Sequence, residues 1–423
     1  MNKMKNSGVE WIGEIPEKWK LIRFKDKYVN CKEIAKEQSS EFERLALTLK
    51  GVIKRGKDDS EGLQPKEFDG YQILKENDFV FKMIDLQNVS TSRVGLSQFT
   101  GLVSPAYIRF APRIKGQYNK FVYYFLMSLY YNCVYNKLGG NGVRSALNAK
   151  DMGDFKVPFP DEFLQKTIGS YLDEKSAKVD SLISNVQSQI EKLKAYKQSL
   201  ITEVVTKGLN PNVQMKDSGV EWIGEIPVNW EVLYPKALFT QRKEKARIGD
   251  EQLTASQHYG IMNQQEYMSL TGNRVVVVEK DFSILKHVEK GDFVISMRSF
   301  QGGLEYSNVT GCISSAYVML KPSSEKVFPA YYRWLLKSSL YINAIGSTSD
   351  LIRDGQAMRY SNFIQIWLPC PTLDEQKEIA EFLDVKCAQI DRLSNIKQAK
   401  VEKLERYKRS LIYEYVTGKK EVS

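Results

Sequence analysis

Histidine and cysteine are scarce in this chain, with two and five in 423 residues. His258 and His287 both stand in the second half, so imidazole chemistry cannot be common to the two halves. Cys31, Cys133, Cys312, Cys370 and Cys387 form no C-x-x-C pair, which excludes a zinc knuckle and a disulfide framework. Long apolar runs are missing as well. The most apolar stretch, residues 121–135, is rich in Tyr and broken by Ser128 and Asn132, whereas a membrane span needs about 20 apolar residues. The N-terminus lacks a signal peptide's apolar core. These absences predict a reduced, cytoplasmic protein with no membrane association.

Nucleotide and cofactor loops are absent too. There is no Gly-x-Gly-x-x-Gly fingerprint, and Gly51-Val-Ile-Lys-Arg-Gly56-Lys57-Asp58 only approximates a phosphate-binding loop. Asp58 stands where a Ser or Thr hydroxyl would bind magnesium, and Gly260-Ile-Met-Asn-Gln-Gln-Glu266 in the second half lacks the pattern. No duplicated acidic cluster with an adjacent lysine points to a metal-dependent nuclease. The Asn/Asp-Pro-Pro-aromatic loop that holds a flipped adenine in methyltransferases is missing; Val-Pro-Phe-Pro160 and Leu-Pro-Cys-Pro371 lack both the amide and the paired prolines. Without nucleophile, metal site or cofactor loop, the residues support binding rather than catalysis.

What is present is a doubled phrase. Residues 4–19 read MKNSGVEWIGEIPEKW and residues 215–230 read MKDSGVEWIGEIPVNW. A repeat this long means a duplicated module of roughly 200 residues, a domain plus linker, and not a solenoid. The same offset returns Pro158 and Pro160 as Pro369 and Pro371, and residues 168–180 as 379–391. Between these anchors the match fades to Asp78-Phe-Val against Asp292-Phe-Val and Ser104-Pro-Ala-Tyr against Ser314-Ser-Ala-Tyr. Similar frames around divergent interiors point to the interiors as recognition surfaces. Net charge is +10 and the pI about 9.0, which favours a polyanion as partner. Residues 1–211 hold 33 Lys+Arg against 25 Asp+Glu and residues 212–423 hold 28 against 26, so the first half carries +8 of the charge.

The frames end in heptads. Leu172, Val179, Val186, Leu193 and Leu200 fall seven apart, with Leu182, Ile183, Ile190, Tyr196 and Val204 in the neighbouring stripe. The second ladder is Leu383, Ile390, Lys397, Leu404 and Leu411, flanked by Leu393, Val401, Tyr407 and Ile412. Such a pattern, free of proline, predicts two coiled-coil rods of about 60 Å each. They would lie antiparallel if a pseudo-two-fold axis relates the copies; packing on their own domains or on another chain are the alternatives. The aliphatic stem of Lys397 can still cover apolar surface within the stripe. The interiors carry short strands, such as Val275-Val-Val-Val278, and one aromatic helix each, near 121–135 and 330–344. They predict twisted, mainly antiparallel sheets with packed helices. The segments are therefore 1–19 opener, 20–160 first recognition domain, 161–214 first rod, 215–230 second opener, 231–371 second recognition domain and 372–423 second rod.

Basic and amide side chains cluster in the interior loops: Lys54, Arg55, Lys57, Arg93 and Arg144 in the first domain, His258, Asn263, Gln264, Arg298, Arg353 and Arg359 in the second. Arg suits guanine, Asn and Gln suit adenine, and Lys suits phosphate, so these are candidate DNA contacts. Trp11 and Trp222 of the openers are candidates for partner docking or for core packing at a domain joint.

The doubled Gly-Val-Glu-Trp-Ile-Gly-Glu-Ile-Pro opener, the Pro-x-Pro junctions and Asp374-Glu-Gln-Lys-Glu-Ile-Ala380 resemble the specificity subunits of type I restriction–modification systems. The first rod starts with the divergent Glu162-Phe-Leu-Gln-Lys-Thr-Ile168. The resemblance covers essentially the whole chain. It implies an α+β protein with two target-recognition domains joined by paired antiparallel helices in a pseudo-two-fold tandem repeat. Each domain would read half of a split, asymmetric site on double-stranded DNA, with the rods setting the gap. It implies a non-catalytic subunit holding two modification subunits that methylate adenine N6 using S-adenosylmethionine. Where present, two restriction subunits would use ATP and Mg2+, and this chain itself would bind no cofactor. A stand-alone nuclease or methyltransferase with unfamiliar motifs, and a coiled-coil assembly scaffold, are the competing classes.

Overall fold

The computed structural model describes residues 3–57, 59, 67–88, 93–138, 146–278, 282–296, 299–348 and 358–422. The chain divides into two compact units, each discontinuous in sequence: residues 1–187 with 399–423, and residues 188–398. Each unit contains one recognition domain, one opener and a portion of both rods.

In the first unit the opener is a hairpin, Met4–Asn6 on Glu14–Pro16, with Met4 opposite Pro16. The chain enters the recognition domain on Lys20–Arg23 and leaves it on the antiparallel partner Lys156–Phe159. Pro158 is tolerated because this ladder has two strands only and so offers edges. Inside, one four-stranded sheet runs Tyr28–Asn30, Ile108–Pro112, Phe79–Lys82, Arg93–Leu96, and a second runs Gly51–Arg55, Arg44–Thr48, Gly101–Val103, Gln72–Leu74. All pairings are antiparallel except Leu102 with Arg44. The second unit repeats the plan. Its opener pairs Met215 with Pro227, entry and exit strands Glu231–Leu233 and Leu368–Cys370 clasp, and Phe239–Arg242, Val318–Pro322, Phe293–Ile295 and Glu305–Tyr306 form the sheet.

Two expectations about the interiors need correction. Residues 275–278 form no strand, and Val276 is 87% exposed. Gln252 holds the segment instead, its amide exchanging two hydrogen bonds with the Val278 backbone at 2.8 and 2.9 Å. Each single aromatic helix is in fact two short ones, Lys120–Tyr131 and Val134–Leu138, then Pro329–Leu335 and Ser339–Ser347. The first breaks at Cys133, whose φ of 55° no helix accommodates, and the second restarts because the Ser338 hydroxyl caps Tyr341 N–H.

The rods are the helices Glu162–Lys207, of 46 residues, and Leu373–Val416, of 44. At 1.5 Å per residue they are about 69 and 66 Å long. They pair with each other within the chain and run antiparallel. In the first unit Tyr415 bonds Tyr171 at 3.2 Å and Lys408 pairs with Asp180 at 2.7 Å; in the second Lys397 donates to Gln189 at 2.6 Å and Lys197 pairs with Asp391 at 2.7 Å. Leu172, Val179, Val186, Leu383, Ile390 and Leu411 are buried, and Leu193, Leu200 and Leu404 half-buried. The flanking stripe divides. Ile190, Val204, Val401 and Ile412 are buried, whereas Leu182, Tyr196, Leu393 and Tyr407 are about half exposed. Two helices bury one seam; those apolar residues of the next row that face away from it stay exposed.

Each opener packs on a rod end supplied by the other repeat. Ile12, Ile15 and Trp19 share a core with Leu411, Ile412, Tyr415 and Val416 in the first unit; Ile223, Ile226 and Trp230 share one with Ile201, Val204 and Val205 in the second. Both rods stop at a left-handed glycine under the opener. A Cβ on Gly418 (φ 70°) would meet Pro16 and Trp19, and one on Gly208 (φ 78°) would meet Trp230.

Candidate nucleic-acid interface

A β-hairpin is common to both recognition domains. In the first, Arg44–Thr48 turns through Leu49 and Lys50 into Gly51–Arg55; in the second, Leu253–Ser256 turns through Gln257, His258 and Tyr259 into Gly260–Asn263. Gly51 (φ 98°) and Gly260 (φ 73°) make the turns possible. Lys54, Arg55 and Lys57 in one domain, and His258, Asn263 and Gln264 in the other, all lie on this hairpin or directly after it. The tips differ: Leu49 and Lys50 are exposed in the first, His258 and Tyr259 in the second, the latter two rings edge to face at 4.7 Å. A two-stranded ribbon is one of the shapes that a major groove admits.

The side chains on the hairpins differ in how firmly they are held. Lys54 pairs with Glu43 at 2.5 Å and lies over the Phe99 ring, Arg55 pairs with Asp59 at 3.3 Å, and Lys57 donates to the Ser39 carbonyl at 2.8 Å. An ion pair as exposed as that of Lys54 contributes about 0–1 kcal/mol, so a phosphate can displace it at little cost. Asn263 is engaged by the fold: its carbonyl caps the helix Gln264–Thr271, and its amide donates to Glu251 at 2.8 Å. Gln264 reaches the Leu253 and Val276 carbonyls, leaving its own side-chain oxygen buried without a partner. Arg93 faces Lys82 across the sheet, away from the hairpin in sequence, and Arg359 is exposed at the start of the helix Tyr360–Phe363. Arg144, Arg298 and Arg353 lie outside the described residues.

Other cations join the first hairpin. Lys50, Lys54, Lys120 and Lys166 line an open cavity of about 770 Å³ with Asn77, Gln98 and Gln117, together with the acids Glu76 and Asp173, the latter paired with Lys120. Lys50, Lys120 and Lys166 escaped the sequence reading because they are scattered along the chain. For Lys120 alone a legible signal was there: residues 86–150 hold eight Lys or Arg and no acid.

Three further groups serve the scaffold. Trp11 packs on Phe155, its indole N–H buried without a partner, and Trp222 packs on Tyr341 and donates to the Trp367 carbonyl at 3.2 Å. Both tryptophans thus sit on their own recognition domain and remain half-buried. Asp78 accepts from Arg109 at 2.6 Å inside the first domain, and Asp292 accepts from Arg242 at 2.6 Å inside the second. Burial pushes the Asp78 carboxyl up, against the guanidinium beside it. Glu244, His287 and Glu289 approach one another closely enough to hold a cation. Arg242 and Arg247 already pair with both carboxylates, and His287 is hydrogen-bonded to Asp250 at 2.8 Å, so the group behaves as an ion-pair network. Among the described residues no helix is long and apolar enough to cross a membrane.

Comparison with known proteins agrees with this geometry. The family model of the type I restriction modification DNA specificity domain matches twice, at residues 20–192 and 227–406. A putative type I restriction enzyme MjaX specificity subunit from Methanocaldococcus jannaschii is 25% identical over 96% of this chain and 95% of its own. The type I restriction enzyme MjaVIII specificity subunit of the same organism is 24% identical over 96% and 93%. A solved chain described under complex assembly and conformational transition of the type I R-M system superposes with a TM-score of 0.65. It is 12% identical and matches over 95% of this chain and 98% of that one, a likeness of fold. Two matched domains covering most of the sequence place this chain in the type I restriction modification DNA specificity domain family.

Proposed function

We propose that the chain is the specificity subunit of a type I restriction–modification complex, a non-catalytic reader of duplex DNA. The observation that carries this reading is the pair of equivalent hairpins with unlike tips on a duplicated family scaffold. Unlike heads imply an asymmetric, bipartite target, as half-site geometry follows protein symmetry in other DNA readers. Lys54, Arg55, Lys57, His258 and Tyr259 are the first residues to test for contact with DNA. Lysines would supply salt-sensitive affinity through phosphates, and base-edge contacts the sequence choice. The rods would set the gap between half-sites. Two methyltransferase subunits, using S-adenosylmethionine to modify adenine N6, would dock on the frame, and restriction subunits would add ATP and Mg2+ chemistry. Five free cysteines support a reducing, cytoplasmic setting.

The test is to co-express the chain with its methyltransferase partner and map methylated adenines genome-wide. The expected result is one split, asymmetric motif that disappears when this chain is omitted. Methylation or cleavage by the purified chain alone, or methylation without a motif, would overturn the reading.

A further inference from the structure

Among the polar ties between each recognition domain and its rod, one carboxylate recurs at repeat-equivalent positions. Leu172-Asp173 of the first rod returns as Leu383-Asp384 of the second, 211 residues on. In the first unit Asp173 accepts from the Tyr124 hydroxyl at 2.8 Å and pairs with Lys120, both on the helix Lys120–Tyr131. In the second unit Asp384 accepts from the Trp334 indole N–H at 2.9 Å and pairs with Arg333, both on the helix Pro329–Leu335. The donors changed completely between the copies, Tyr to Trp and Lys to Arg, while the acceptor, its place on the rod and the pattern of one aromatic and one cationic donor stayed. A residue kept for packing alone would not preserve that chemistry.

The apolar part of the same joint cannot do this work. Phe121 and Phe125 share a core with Ile168 and Leu172, and Tyr331 and Leu335 share one with Ile379 and Leu383. Hydrophobic contact has no directional preference, so it holds the helix on the rod without fixing its rotation. Directional hydrogen bonds fix it: those to Asp173 in the first unit, and those to Asp384 in the second, where Tyr331 also donates to the Val205 carbonyl at 2.8 Å and Phe328 N–H to Gln376 at 2.8 Å. The leverage is large. A domain of this size has a radius of gyration of about 14 Å, so a turn of about 14° at the joint displaces a point at that distance by about 3.4 Å, one base-pair step.

We infer that Asp173 and Asp384 are positioning residues that set the aim of each reading head on its rod and thereby the gap length the complex accepts. The inference rests on the DNA-reading function proposed above. Its test uses the assembled complex of this chain with its methyltransferase subunits. Duplexes carrying the wild-type motif with the gap shortened, native or lengthened by one base pair are methylated, and initial rates are compared. Wild type that prefers no split motif would refute the functional reading itself. Given a wild-type preference for one gap, Asp173→Asn and Asp384→Asn are expected to keep both half-sites and to lose at least tenfold of the discrimination between gaps. Glu174→Gln, which removes a neighbouring charge paired to Lys178 of the same helix, is expected to keep it. Should an Asn variant fail to assemble, Asp384→Glu retains the charge one methylene further out and is expected to shift the preferred gap. Unchanged gap discrimination in assembled Asn or Glu variants overturns the inference, as does an equal loss in Glu174→Gln.

Discussion

At the residue scale, the buried arginine beside Asp78 and Asp292 shows how two copies solve one problem differently. The aspartate is a repeat equivalent, and each copy surrounds it with a guanidinium, but from opposite sides of a strand pair. In the second unit Arg242 faces Met319 across the ladder and reaches Asp292. In the first the equivalent positions are Cys31 and Arg109, Cys31 donating its N–H to the Arg109 carbonyl, and Arg109 reaches Asp78. Arg109→Met should leave a buried carboxylate unpaired and destabilise the chain by about 3–5 kcal/mol. Adding Cys31→Arg should restore part of that loss, because it installs the second unit's arrangement in the first. Denaturant unfolding of the two variants decides: a double variant no more stable than the single one would show that the copies are not interchangeable here. The sequence displays the shared Asp-Phe-Val, but not its partners, because a cross-strand neighbour has no fixed spacing along the chain. The same limit explains the DNA-contact candidates. Lys54 and Arg55, expected in a loop, stand on the strand Gly51–Arg55, His258 stands in the turn of the other hairpin, and the Asn263 side chain caps a helix.

At the element scale, the rods separate residues that look alike in sequence. Leu172 and Leu182 are both apolar members of the first ladder's pattern, yet Leu172 is fully buried and Leu182 is 51% exposed. Leu172→Ala should cost about 2–5 kcal/mol through lost burial and the cavity left behind. Leu182→Ala should change stability by about 0.5 kcal/mol or less. Thermal unfolding of the full chain distinguishes them, and equal effects would contradict the observed seam. The seven-residue spacing made the seam legible, since Val179 and Val186 continue it without a gap. The adjacent row was ambiguous because a helix can carry an apolar stripe wider than one partner buries. Aromatic runs misled differently. Their composition spoke for one helix per domain, while the break at Cys133 depends on a backbone conformation that composition does not encode.

At the scale of the whole molecule, the duplication governs everything else. The doubled phrase forms the same hairpin twice, and each copy is docked on the rod end contributed by the other repeat. This explains why opener and rod end are the most similar parts of the two halves: each is the other's contact surface. It also explains why the compact units are discontinuous, a feature that a linear reading of segments does not display. The variable interiors sit between clasped entry and exit strands, a junction in which Gln165 and Gln376 hydrogen-bond the Pro160 and Pro371 carbonyls at 2.8 and 2.9 Å. An interior bounded in this way can change without disturbing its frame. The most direct measurement is therefore an exchange of residues 20–160 for the equivalent segment of a family member with a different target, followed by mapping of methylated adenines in cells that also express the methyltransferase. One half of the split motif should change while the other half and the gap stay as they were. A motif left unchanged, or altered in both halves at once, would contradict the account.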